Sequence, residues 1–240
     1  MEIEDIEVYG FKAALRGMRN PMNSWEKSDS SISNALYQSE YLCEASSAFN
    51  IETWIIGEND IKLAQSLIKA GTEHSKFMRQ IQVWADITAP RYWWSEFDTY
   101  KVGVSANSTS TMHKLFDKKK EITLDLFETA GLGEAEINLL NATIDYLMGL
   151  RQQYFETKSA TKQNLILRNA KCLLPESYLN TRSVNMNYQN LRNMVLQRRF
   201  HRLSYEWQQV YLGQFVCSLP YARELIFCGI EEDYDRLNWL

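Results

Sequence analysis

The chain has 240 residues, 45% hydrophobic, 12% aromatic and 23% charged, enough to bury a sizeable core without disulfides or metals. Its 26 basic and 30 acidic residues leave a net charge of −4, which excludes a broad nucleic-acid-binding surface but permits a local basic pocket. No apolar run approaches the roughly 20 residues that span a bilayer, and the acidic start MEIEDIEVYG lacks the features of a secretory leader. The 4 cysteines (Cys43, Cys172, Cys217, Cys228) form no C-x-x-C pair, so reduced thiols in a cytoplasmic protein are expected.

With only 10 Gly and 4 Pro, long regular elements are expected. Residues 23–33 (NSWEKSDSSIS) read as a flexible polar loop, so the chain divides into an N-terminal arm, 1–33, and a single domain, 34–240. Asn59 as cap, apolar residues at helical spacing and Gly71 at the stop predict a helix over 59–70. Residues 81–88 alternate Ile81, Val83, Ala85 and Ile87 with polar neighbours and predict a half-buried strand. Pro90 fits the first turn of a helix, PRYWWSEFDTYK, and the polar run VGVSANSTSTMH after it reads as a loop. A long amphipathic helix spans 134–156 and a shorter one 159–170, which Pro175 follows. A second strand over 177–184 is the weaker element of a small sheet. Residues 187–202 are helical again, and Ser204 caps a further helix carrying Trp207, Tyr211 and Phe215. The class is α+β.

The sequence holds no P-loop, no G-x-G-x-x-G after a strand, no G-x-S-x-G, and no His or Cys spacing suited to a metal, so no metal ligands are assigned. Between Ser177 and Tyr205 there is no acid, yet Arg182, Arg192, Arg198, Arg199, His201 and Arg202 fall there. Uncompensated arginines point to an anion site, because guanidinium forks bind phosphate or carboxylate bidentately. The plainer reading, a solvated face or ion pairs to the acidic stretch GIEEDYDR, has the better odds on charge alone. Residues 105–113 (SANSTSTMH) form a hydroxyl- and amide-rich segment able to ring a planar polar ligand, or simply a capped connection. Cys172, with no base nearby in sequence, reads as a buried small residue and not as a nucleophile.

Three separated segments together resemble the flavin-dependent thymidylate synthases. Glu73-His74 and Phe77 match that family's E-H-x-x-F. EFDTYKVGVSANSTSTMH lies where the family carries R-H-R-x-x-S-x-N-E-x-S-x-R-Y. KCLLPESYLNTRSVNMNYQNLRNMVLQRRFHRLSYEWQQV is similar to its R-x-x-L-P, N-L-R-S and A-Q-W-E run. Thr99-Tyr100-Lys101 replace Arg-His-Arg, Ser108 replaces Glu, Met112-His113 replace Arg-Tyr, and Lys171 stands for a phosphate-binding arginine.

The resemblance implies a helix-rich α+β fold whose small, mainly antiparallel sheet packs with long helices. It implies a homotetramer that reductively methylates dUMP at C5, using methylenetetrahydrofolate, reduced FAD and NADPH. Its partners are then a dUMP-like nucleotide, with neither membrane nor nucleic acid. Catalysis in the family rests on orientation and electrostatics and requires no protein nucleophile. Carried over by position, His74, Lys101, Asn107, Asn190 and Arg192 are the FAD-side residues. Glu96, Ser108, Ser110, Lys171, His201 and Arg202 are the nucleotide-side residues, with Arg202 the catalytic candidate that activates or anchors the pyrimidine. The altered signature leaves a second reading open: a repurposed relative that acts on or binds another nucleotide without flavin chemistry.

Overall fold

The computed structural model describes residues 1–32, 50–51 and 54–239. The chain divides into two compact units. The first comprises Met1, Thr88–Thr99 and Asn107–Arg182; the second comprises Glu2–Ile87, Tyr100–Ala106 and Ser183–Leu240.

In chain order the first strands and helices are β1 (Glu2–Tyr9), α1 (Phe11–Arg19), β2 (Ser31–Ile32), β3 (Asn50–Ile51), β4 (Trp54–Ile55) and α2 (Glu58–Lys69). They are followed by β5 (Gln82–Pro90), α3 (Arg91–Phe97), β6 (Ser105–Ser108), α4 (Thr111–Lys114), α5 (Glu134–Glu156) and α6 (Ala160–Leu173). The last are β7 (Leu179–Asn187), α7 (Tyr188–Arg198) and α8 (Glu231–Leu237), with two π-helical stretches, Tyr205–Val216 and Ala222–Ile226, between α7 and α8.

Five strands form a sheet in the order β3-β1-β5-β7-β6, and β2 pairs antiparallel with β4. β1 runs parallel to β3, Glu7 opposite Asn50 and Val8 opposite Ile51. β5 and β7 are antiparallel, since the Thr88 and Thr181 hydroxyls meet at 2.7 Å while Asn185 reaches back to Gln82 and Val83. The α+β class and a small, mainly antiparallel sheet with long helices are therefore as expected.

In the first unit α5 packs on α6, joined by only residues 157–159. Leu140, Ile144, Leu147 and Leu150 recur at three- and four-residue steps, so one stripe of α5 is buried against Leu167 and Ala170 of α6. The bounds of α5 are those the periodicity predicts. α3 buries Trp93, Trp94 and Phe97; the Trp93 and Phe97 rings stack with centroids 5.0 Å apart. Pro90 precedes α3 and does not lie in its first turn. The stretch read as a loop contains β6 and the turn of α4, because Thr109 N–H donates to Thr181 O and carries the polar segment onto the end of β7.

In the second unit β1 and α1 occupy most of what reads as an arm. Gly10 joins them at φ 101°, where a Cβ would strike the Gln80 carbonyl oxygen, so only glycine suits this turn. Phe11 then packs edge-on against Tyr188, centroids 5.7 Å apart. The expected flexible loop at 23–33 is tied down over its described part. Ser28 and Ser30 hydroxyls donate to the buried Asp60 carboxylate, which also takes Arg19 Nε at 2.6 Å. Asn59 does not cap α2. The Asp29 carboxylate accepts the Asn59 and Asp60 N–H groups instead, and these bonds hold its carboxyl below the usual range.

α7 starts at the expected place with a capping box between Asn187 and Asn190, but ends at Arg198, four residues early. The helix after Ser204 has i→i−5 geometry, ending in Cys217 N–H to Leu212 O, and Ser204 makes no side-chain cap.

Candidate functional site

Four elements of the first unit converge on one groove of about 540 Å³, within the range that holds small ligands. α3 buries its tryptophans on one side and so presents Arg91 and Ser95 to the groove, with Asp98 just beyond its end. β7 contributes Asn180 and Arg182, which share a face because strand side chains alternate. The β6–α4 turn adds Ser108, Thr109, Ser110 and Thr111; α6 ends with Lys171, and Glu176 follows it.

Hydrogen bonds make this lining stiff. Asn180 Nδ2 donates to Thr109 O at 3.0 Å and Thr109 Oγ1 at 2.7 Å, fixing the hydroxyl turn. Trp94 Nε1 donates to Asn180 O at 2.8 Å. The Arg182 guanidinium lies over the Trp94 ring, Cζ 4.1 Å from its centroid, and Nη1 donates to Asp98 Oδ1 at 2.6 Å. Arg182 Nε is buried without a hydrogen-bond partner. Arg91 meets Glu176 at 3.3 Å, so both acids of the groove face an arginine. Lys171 has no carboxylate partner among the described residues, which leaves the groove one uncompensated positive charge. The hydroxyls of Ser108, Ser110 and Thr111 and the Lys171 ammonium are a donor set for an anionic, oxygen-rich ligand.

Of the residues carried over by resemblance, Ser108, Ser110 and Lys171 meet in this groove. Glu96 stands on α3 and is half-buried, but it does not line the groove; its backbone oxygen accepts the Thr99 N–H and hydroxyl. Asn107 is exposed on β6.

The remaining ones belong to the second unit. His74 is exposed in a turn after α2, and Lys101 is exposed. Asn190 Oδ1 accepts Asn187 N–H while its Nδ2 donates to Val102 O at 2.8 Å. Arg192 Nη1 donates to Ile226 O and Cys228 O at 2.8 and 2.9 Å. His201 Nδ1 accepts Leu203 N–H at 3.2 Å, and Arg202 is exposed. Arg198 Nε donates to the Tyr100 hydroxyl, and Arg199 pairs with Asp233 at 2.8 Å. The plainer reading of the arginine run thus accounts for Arg199, whose partner lies in GIEEDYDR.

Asn180, Arg91 and Trp94 line the groove without having been assigned to the site, whereas Arg182 was one of the arginines of the acid-free run. The signal for Asn180 was its i, i+2 spacing from Arg182 on a strand inside that segment.

Among the described cysteines, burial pushes the Cys217 thiol up to about 12 and raises that of Cys228. Cys172 is exposed, contrary to the sequence reading, because it faces outward from α6. Cys43 lies outside the described residues. At pH 8 a disulfide reagent is expected to label Cys172 rapidly, and Cys217 and Cys228 only after denaturation. Peptide mapping by mass spectrometry checks this; fast native labelling of Cys217 contradicts it.

No protein-family model and no curated protein matches the sequence. Solved structures do. One, the flavin-dependent thymidylate synthase ThyX from Helicobacter pylori complexed with FAD and dUMP, superposes with a TM-score of 0.64 at 19% identity, over 95% of this chain and 98% of that chain. A second ThyX structure from the same organism, again with FAD and dUMP, gives 0.64 at 18% identity, over 97% and 100%.

The fold is that of the flavin-dependent thymidylate synthases.

At this identity the likeness establishes a shared fold from end to end. Within the thymidylate synthase fold, no helix among the described residues is long and apolar enough to cross a membrane.

Proposed function

We propose that this protein binds a pyrimidine nucleoside monophosphate of the dUMP kind in the groove between α3, β7 and the β6–α4 turn. Its activity is then of the flavin-dependent thymidylate synthase type: reductive methylation of dUMP at C5 with methylenetetrahydrofolate, FAD and NADPH, in a cytoplasmic homotetramer. The observation that carries the reading is the convergence of Ser108, Ser110 and Lys171, three residues matched to the nucleotide side by resemblance alone, on one anion-ready groove. The fold likeness to enzymes holding FAD and dUMP supports it.

Lys171 supplies the charge for the phosphate, the turn hydroxyls donate to its oxygens, and Trp94 walls the groove against water. These groups bind and orient, in keeping with chemistry that rests on positioning. Arg202, Glu96 and His201 are matched to the nucleotide side by resemblance alone, Arg202 as the residue that anchors or activates the pyrimidine.

FAD, when bound, supplies reducing equivalents. His74, Lys101 and Asn107 are exposed and open to it. Asn190 and Arg192 do not fit that role as they stand, since the Asn190 amide is spent on a capping box and Val102, and Arg192 Nη1 on two carbonyls. No step through the flavin is therefore derived.

This commitment favours a second reading, nucleotide binding without flavin chemistry. Tyr100, at the position of the signature histidine, points the same way, because its hydroxyl is engaged by Gln197 and Arg198. Thermal shift and visible absorbance with FAD and dUMP, separately and together, decide between the two. A ligand at 100 times its dissociation constant adds about 2.7 kcal/mol of stability. Stabilisation by both ligands with a flavin spectrum supports the enzyme, and stabilisation by dUMP alone supports the second reading. No response to dUMP overturns the enzyme, and no response to any nucleotide in the same screen overturns both.

A further inference from the structure

Arg182 is held in a way that leaves one edge of its guanidinium without a protein partner. Nη1 is taken by Asp98 at 2.6 Å, and the plane rests on the Trp94 ring. Nε is buried without a partner, and no hydrogen bond reaches Nη2 from the described residues. Nε–H and Nη2–H form the side-on fork of an arginine, two parallel donors on the edge away from Nη1. A buried donor with no partner in a stiff protein wall costs stability unless a ligand completes it. The groove that Arg182 lines is the one already described.

Two parallel donors ask for two adjacent acceptors. A phosphate presents them on any of its faces, whereas the uracil edge alternates acceptor, donor, acceptor and offers no adjacent pair. Resting on the nucleotide-binding reading above, we infer that Arg182 is the phosphate fork of the site: Nε and Nη2 clasp two oxygens of the nucleotide's phosphomonoester. Lys171 neutralises the remaining charge, and Asp98 and Trp94 hold the fork in place. Family resemblance assigns this phosphate role to other positions. Here Lys171 keeps the charge of the usual arginine but not its planar fork, and Met112 keeps neither; Arg182 supplies what they lack.

The test is Arg182→Lys, which preserves the charge and removes the fork. Calorimetric titration with dUMP, inorganic phosphate and deoxyuridine compares it with the wild-type protein. The variant is expected to lose about tenfold or more in affinity for dUMP and for phosphate, with its response to deoxyuridine unchanged. Affinity for dUMP within twofold of wild type overturns the assignment, as does an equal loss for dUMP and deoxyuridine. If the wild-type protein binds neither dUMP nor phosphate, the nucleotide reading itself falls. Should the variant not fold, the Arg182 Nε–H resonance of the ¹⁵N-labelled wild-type protein decides. It shifts with dUMP and not with deoxyuridine if the fork holds phosphate, and an unmoved resonance overturns the assignment.

Discussion

Replacing Asp60 with alanine is expected to destabilise the protein by about 3–5 kcal/mol, the cost of stranding a buried charge. Asp60 is 0% exposed and Arg19 5%, and their side chains meet at 2.6 Å. The second carboxylate oxygen takes the Ser28 and Ser30 hydroxyls at 2.6 and 2.5 Å. The residue therefore joins three segments of the second unit: the end of α1, the 23–32 loop and the start of α2. Alanine removes the carboxylate bonded to Arg19 and leaves the guanidinium the Ser24 carbonyl at 3.3 Å and the longer-range attraction of Asp29. Urea denaturation should show the loss, with the melting temperature lowered by roughly 6–20 °C. Replacing both partners by apolar residues of similar volume is expected to recover most of it, because burying the pair costs nearly what its attraction returns. A loss below 1 kcal/mol for Asp60→Ala would show that the pair is not buried as described.

Reversing the charge at Lys171 is the largest effect expected on binding. A hydrogen bond to a charged group contributes about 1.5–3 kcal/mol, so its loss alone weakens a phosphate ligand roughly ten- to a hundredfold. Lys171→Glu also sets a carboxylate beside the phosphate in a groove already lined by Asp98 and Glu176. Together these predict about a hundredfold or greater loss in dUMP affinity by calorimetry. Stability should change by no more than about 0.5 kcal/mol, since Lys171 is partly exposed and has no carboxylate partner among the described residues. Lys171→Arg restores the fork the resemblance expects at this position and should bind dUMP at least as tightly as the wild-type chain. Unchanged dUMP affinity in Lys171→Glu would remove Lys171 from the site.

The elements most legible in the sequence were those with one buried stripe. α5 and β5 announce themselves by period, because Leu140, Ile144 and Leu147 must face α6 while Val83, Ala85 and Ile87 must face the core. β1 escaped because the acids of MEIEDIEVYG mask the spacing of Ile6 and Val8, of which only Val8 is fully buried. The 23–33 segment misled for a related reason. Serine-rich composition says solvent, yet Ser28 and Ser30 serve a buried carboxylate 30 or so residues away, a pairing that local sequence does not encode. In the groove, Ser108, Ser110 and Lys171 were legible only through register with a family pattern. Arg182 was visible as one arginine among several, and what distinguishes it, a stacked plane with one edge pinned and the other unpartnered, exists only in three dimensions. The same holds in reverse for Arg192 and Asn190, whose side chains the fold has engaged.

A crystal structure with dUMP bound tests the central claim most directly. The account predicts the phosphate in the α3–β7 groove, with oxygens in hydrogen-bond reach of Lys171 Nζ, the Ser108–Thr111 hydroxyls and Arg182 Nε. A nucleotide bound elsewhere on the chain, with this groove holding only water, would contradict it.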